Sequence, residues 1–154
     1  AIRIAGEFDV DLTIEHGTEG HLIKDILVEE GIPVITGPSL ADRSKVELRK
    51  QSLKSPGILA GAGIKVAIMT DHPCTPIQFL PLCAAMAVKE GMSEEDALKA
   101  ITINAASITG IDNRVGSLET GKDGDMAIFD GHPLEFRTRV LMTIIEGRIV
   151  YRRQ

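Results

Sequence analysis

The chain has 154 residues, 44% of them hydrophobic and 25% charged, with a formal net charge of −5. That is enough polypeptide for one domain with its own core. Aromatic residues make up only 3% and Lys and Arg do not cluster, so the rings for base stacking and the basic face for phosphates are both missing, and nucleic acid is not an expected partner.

The chain opens "AIRIAGEFDV", which reads as the tail of a helix and hints at a processed chain or a piece of a longer one. "DLTIEHG" follows as a strand that stops at Gly17. "GHLIKDILVEEG" carries Leu22, Ile23, Ile26 and Leu27 at helical spacing and stops at Gly31. "IPVITG" has the continuous apolar pattern of a buried strand. "SKVELRKQSLKSPGILAGAG" reads as a helical or mixed region broken by Pro56. "IKVAIMTD" is a third apolar strand, ending at Asp71.

"TPIQFLPLCAAMAVKEG" is predicted as a helix with Thr75 as N-cap and Pro76 in its first position, and with Pro81 kinking it or delaying its start. "SEEDALKAITINAASITG" predicts one more helix, begun by a capping pair of Ser93 and Asp96 and closed at Gly110. After about residue 111 the character changes. Gly116, Gly121, Gly124 and Gly131 punctuate a β-rich tail in which "DMAIFD" is a short strand and "RVLMTIIEGRIVYR" a hairpin turning at "EG".

Apolar strands alternating with helices predict an α/β fold with parallel strands, either an open sheet or part of a barrel, followed by a smaller β unit. No apolar run is long enough to span a bilayer, so no membrane partner is expected. Cys74 and Cys83 form no CxxC and read as two reduced, packed thiols of a cytoplasmic protein.

In parallel α/β architectures, chemistry sits at the carboxyl ends of strands. Two expected strands end in metal-capable groups, the first in His16 and the third in Asp71. Strand alternation sets Ala67, Met69 and Asp71 on one face, and Leu12, Ile14 and His16 likewise on one face. An aspartate there can hold a divalent ion and accept a proton from its water, and a histidine can complete the shell or orient a substrate. His21 and His72 are near enough in sequence to reach the same mouth. The plainer readings are a helix cap for Asp71, a hydrogen-bonded His16, a solvated His21 and ordinary loop charges for Glu15 and Glu19. His132, in a turn, is assigned no role.

Four stretches together carry a family resemblance: "IEHGTEGH", "KVAIMTDHP", "EGMSEEDALKAITINAASITGI" and "RVGSLETGKDGDMAIFDGHPL". They resemble the C-terminal half of the metal-dependent amidohydrolases, in the imidazolonepropionase-like branch. Asn104-Ala105-Ala106 followed by Gly116, Gly121 and Asp125 is the most specific piece. The resemblance implies the C-terminal part of a (β/α)8 TIM barrel over residues 1–110, about three parallel strands with their helices. Residues 111–154 would then be the C-terminal part of a composite β-sandwich.

It further implies hydrolysis of carbon–nitrogen bonds, in non-peptide or peptide-like amides, with one or two divalent metals, usually zinc. His16 would be the sixth-strand histidine and Asp71 the eighth-strand metal ligand and general base, with His21 and His72 in weaker, substrate-binding roles. The chain lacks the HxH motif and the fifth-strand lysine or histidine of that family. A full barrel takes roughly 250 residues.

The expected partners are therefore a small-molecule amide and either a missing N-terminal half or further copies in a homo-oligomer. The alternative is a catalytically inactive piece that only binds or oligomerises. A receiver-type signalling domain with Asp71 as phosphoacceptor wants an acidic pair and a late lysine that this chain does not offer, and it has no place for the β-rich tail.

Overall fold

The structure is a computed structural model and describes residues 1–43 and 45–154. Ser44, first residue of the region expected to be helical or mixed, lies outside the described residues.

Helix α1 (Ile2–Phe8) is followed by an extended segment that bridges at Ile14 to β1 (Val34–Thr36) in parallel. A 3-10 turn (Gly20–Ile23) runs into α2 (Lys24–Glu29) between them. A second 3-10 turn (Val46–Leu48) and α3 (Ser55–Gly61) lead to β2 (Val66–Ile68), which pairs in parallel with β1 in the register Val34–Val66 to Thr36–Ile68. The expected first strand is thus reduced to a single bridge plus flanking hydrogen bonds. Ile14 N donates to Pro33 O, Ile35 N to Ile14 O and Gly17 N to Ile35 O. These still place three chain segments side by side in one direction.

Two apolar clusters build the core. Leu27, Val34, Leu59 and Val66 are essentially fully buried, so α2 and α3 pack on the β1–β2 pair. Ile68, Cys83, Ala84, Ala87, Ala97 and Ala100 form the second, where α4 (Leu80–Lys89) and α5 (Glu94–Ala100) meet β2. Alanines dominate there because small side chains let helix backbones approach the strand closely. No helix among the described residues is long and apolar enough to cross a membrane.

Several local expectations are corrected. Thr75 caps no helix: its Oγ1 is buried without a hydrogen-bond partner. A 3-10 turn at Ile77–Phe79 comes first and α4 begins only at Leu80, with Pro81 in its first turn, so of the two roles expected for Pro81 the delayed start is the one observed. A proline has no N–H to donate and is tolerated there, where that donor would be unsatisfied anyway. Pro56 likewise opens α3 rather than breaking a helix. The single helix expected after Ser93 is two, α5 and α6 (Ile103–Ile108), interrupted at Thr102 with φ −134° and ψ −101°. Cys74 is exposed, not packed; Cys83 is buried.

After α6 the chain forms an antiparallel sheet of β3 (Met126–Phe129), β4 (Val140–Ile145) and β5 (Arg148–Arg152), in that spatial order. The β4–β5 hairpin turns at Glu146 and Gly147, both with positive φ (50° and 73°), the handedness that matches strand twist in two-residue loops. Asp125 Oδ1 accepts from Glu146 N and Gly124 O from Gly147 N, which pins that turn.

Gly116 joins this unit to α6. Its φ is +93°, and a Cβ there would lie 2.8 Å from Ala106 Cβ, so only glycine fits both the conformation and the space. Asn104 Nδ2 donates to Val66 O at 3.0 Å. The neighbouring Lys65 O accepts from Val34 N, so Val66 O points to the other edge of β2, and Asn104 covers it.

Candidate active site

The Ile14 segment, β1 and β2 run in parallel, so their carboxyl ends open on one side. His16 follows the first and Asp71 the third. Both line a single cavity of about 730 Å³. Alternation along the strands does not bring them there. β2 ends at Ile68, and both residues have left-handed backbones, φ 53° at His16 and φ 52° at Asp71. The expectation that Ala67, Met69 and Asp71 share a strand face is therefore corrected. Each site residue sits in a turn that re-aims it.

Positive φ is uncommon outside glycine, with Asp and His among the residues that tolerate it better. Four described non-glycine residues adopt it, and two of the four are these. Unfavourable backbone collected at one cavity points to a functional constraint. The turns are held by main-chain bonds. Thr18 N donates to His16 O at 2.6 Å, and Cys74 N to Asp71 O at 2.8 Å. Gly17 makes the first turn possible, because a Cβ there would fall 2.3 Å from Val34 Cγ1.

The other two expected site residues lie off this cavity. His21 is part-buried and its Nδ1 is 3.1 Å from Ser55 Oγ. His72 is an exposed turn residue beside Asp71. Sequence reading missed other contributors. Cys74 lines the cavity. Glu19 lines it too, and its Oε1 accepts from Lys50 N at 2.6 Å, tying two loops together. Asp42, Lys45 and Leu48 come from the loop after β1. Glu19 stands in the quoted "IEHGTEGH" stretch, but nothing in the sequence pairs it with a backbone 31 residues away.

The donor chemistry of His16 and Asp71, an imidazole nitrogen and a carboxylate, suits a divalent ion. The number of donors does not close a site within this chain: among the described residues no three His, Cys, Asp or Glu side chains converge to hold a metal. A catalytic zinc uses three protein ligands and a water.

Residues 4–150 match the amidohydrolase family. The chain belongs to that family. An amidohydrolase structure from Thermotoga maritima superimposes with a TM-score of 0.95 at 43% identity, over 99% of this chain and 40% of that one. An imidazolonepropionase from Geobacillus kaustophilus is 44% identical over 75 residues, 47% of this chain and 18% of the relative. An N-substituted formamide deformylase from Arthrobacter pascens is 25% identical, over 99% of this chain. The chain spans about a third of that deformylase's length. Amidohydrolases are hydrolytic enzymes of the TIM-barrel superfamily and generally bind divalent metals.

Proposed function

We propose that this amidohydrolase chain contributes His16 and Asp71 to the centre of a metal-dependent hydrolase of carbon–nitrogen bonds, completed by polypeptide outside these 154 residues. The observation that carries the reading is that an imidazole and a carboxylate, at the ends of two parallel segments, line one cavity. In it, the Ile14 segment, β1 and β2 are the sixth, seventh and eighth barrel strands. Residues 1–110 then belong to the barrel and 111–154 to a composite β-sandwich. The short donor count and the 40% share of the Thermotoga chain support the view that the remaining ligands lie elsewhere.

His16 and Asp71 would hold the metal, one ion or two, most simply zinc. A zinc ion held there would supply a water acidified to a pKa of about 7, far below that of bulk water. Asp71 accepts the proton of the attacking water and returns it to the leaving nitrogen, as a positioned carboxylate does. His16, turned inward by its left-handed backbone, ligates or orients. His72, beside Asp71, and His21, through the ring nitrogen not facing Ser55, lie off this cavity and are the proposed contacts for a part of the substrate that extends beyond it. The names of the deformylase and the imidazolonepropionase support an amide or ring C–N bond in a small molecule. Two unpaired cysteines suit a reducing, cytoplasmic setting.

Asp71→Asn in the complete protein tests this, with metal content measured alongside. General-base loss predicts a fall in kcat of about 10²–10⁴-fold. Hydrolysis retained within a factor of about three at full metal content, far inside that range, removes the mechanism.

A second reading is a non-catalytic piece whose role is association. The open donor set among the described residues favours it. Stoichiometric metal held tightly by this chain alone contradicts it.

A further inference from the structure

We propose that the cavity holding His16 and Asp71 selects substrates carrying an uncharged apolar substituent, seated on Leu22, Ile23 and Leu48. The proposal rests on the reading of that cavity as the catalytic one.

Three observations lead here. First, the wall is apolar without serving the core. Leu22 and Ile23 lie on the 3-10 turn just after the His16 loop, and Leu48 on the turn at Val46–Leu48. All three line the cavity. Leu22 is 50% and Ile23 45% exposed, and none of the three belongs to either core cluster. Their uncovered surface gains by being covered. A cavity of about 730 Å³ has the volume of a small-molecule site.

Second, the two halves of the wall are fastened to each other. Glu19 Oε1 accepts from Lys50 N at 2.6 Å, linking the loop that leads into Leu22 and Ile23 with the one that carries Leu48. The second loop is itself folded back. Gln51 Nε2 donates to Pro38 O at 2.9 Å, and Arg43 donates to Gln51 O at 2.8 Å. Glu19 is thus a positioning residue, and the apolar wall is preorganised rather than assembled by the ligand.

Third, the wall itself disfavours an anionic arm. The side chains of Leu22, Ile23 and Leu48 offer a carboxylate no hydrogen-bond donor, and taking its charge out of water unpaired is costly. A carboxylate-bearing substituent loses water there without gaining a partner, whereas an alkyl or aryl group loses nothing.

The test is calorimetric titration of the native protein carrying this chain with N-alkyl formamides from methyl to hexyl, and with an N-carboxyalkyl formamide of matched length. A fully buried methylene contributes about fourfold in affinity. Partial burial predicts at least about a tenfold rise across the series, with an increasingly negative heat-capacity change. The carboxylate compound is expected to bind about tenfold or more weakly than its alkyl match.

Leu48→Asn is expected to flatten the series. Leu22→Asn, at a half-exposed position outside both core clusters, is expected to do the same. Flat affinity in the native protein, preference for the carboxylate, or no binding at any length overturns the proposal. Hydrolysis of the same compounds separates it from the reading beneath. Graded binding with no turnover keeps the selection and removes the hydrolase. Asp71→Asn should keep the graded binding and lose the turnover.

Discussion

Cys83 and Cys74 are nine residues apart and chemically opposite. Cys83 is 1% exposed in the α4 core, and burial pushes its thiol above the usual value, with a backbone hydrogen bond pulling partly back. Cys74 lies exposed at the rim of the candidate site. At pH 8, in the folded state, Cys74 should therefore react rapidly with a disulfide reagent and Cys83 only in denaturant, read by mass mapping of the two residues. Rapid labelling of Cys83 contradicts its placement. The sign of the pH effect follows. A thiol pKa raised by folding favours the native state below the ordinary value of 9.0, and that contribution is lost as pH climbs through the folded pKa.

The same scale shows what the sequence reveals about the site. His16 and Asp71 were legible as residue types ending apolar runs. Their aim was not, because it depends on left-handed backbones that strand periodicity does not encode. Cys74 was misread as packed because its apolar neighbours in sequence are not its neighbours in space.

At the scale of the element, helix α5 shows a start written in local sequence. Ser93 Oγ accepts from Asp96 N at 3.0 Å and donates to Asp96 Oδ2 at 2.7 Å, and three acidic residues fill the first turn, where the helix dipole favours them. Ser93→Ala should lower stability by about 1 kcal/mol in urea unfolding, with the slope unchanged. A change below about 0.3 kcal/mol, well under the usual cap contribution, contradicts the cap.

That pair was readable because all its parts lie within four residues. The start of α4 was readable in part: Pro81 offered a delayed start and takes that role, while Thr75 and Pro76 carry the residue types of a helix start without making one. The break between α5 and α6 was hidden. "AITINAAS" keeps helical spacing, but Asn104 is drawn to the open edge of β2.

At the scale of the whole molecule, the parallel order and the β-rich tail follow from patterns the sequence states openly. Which surfaces are left uncovered does not. Helix α1 buries none of its residues, and Phe8 is 71% exposed. Every residue of β5 is exposed, including Ile149, Val150 and Tyr151, and Phe136 is 82% exposed. Exposed apolar surface of this kind favours cover by further polypeptide.

Edge-to-edge pairing of two β5 strands about Val150 would set Arg148 opposite Arg152, and like charges directly opposed are unfavourable, so the faces rather than that edge are the candidates for contact. Sedimentation of the isolated chain should show association above 16.6 kDa. A single monomeric boundary across a wide concentration range contradicts this.

The central claim is that His16 and Asp71 serve one centre. Hydrolytic rates of His16→Ala, Asp71→Asn and the double variant, in the complete protein, test it most directly. Residues acting as a unit lose function non-additively. The account predicts a double variant about as impaired as the worse single one. Losses that multiply, or an Asp71→Asn variant at full rate, would contradict it.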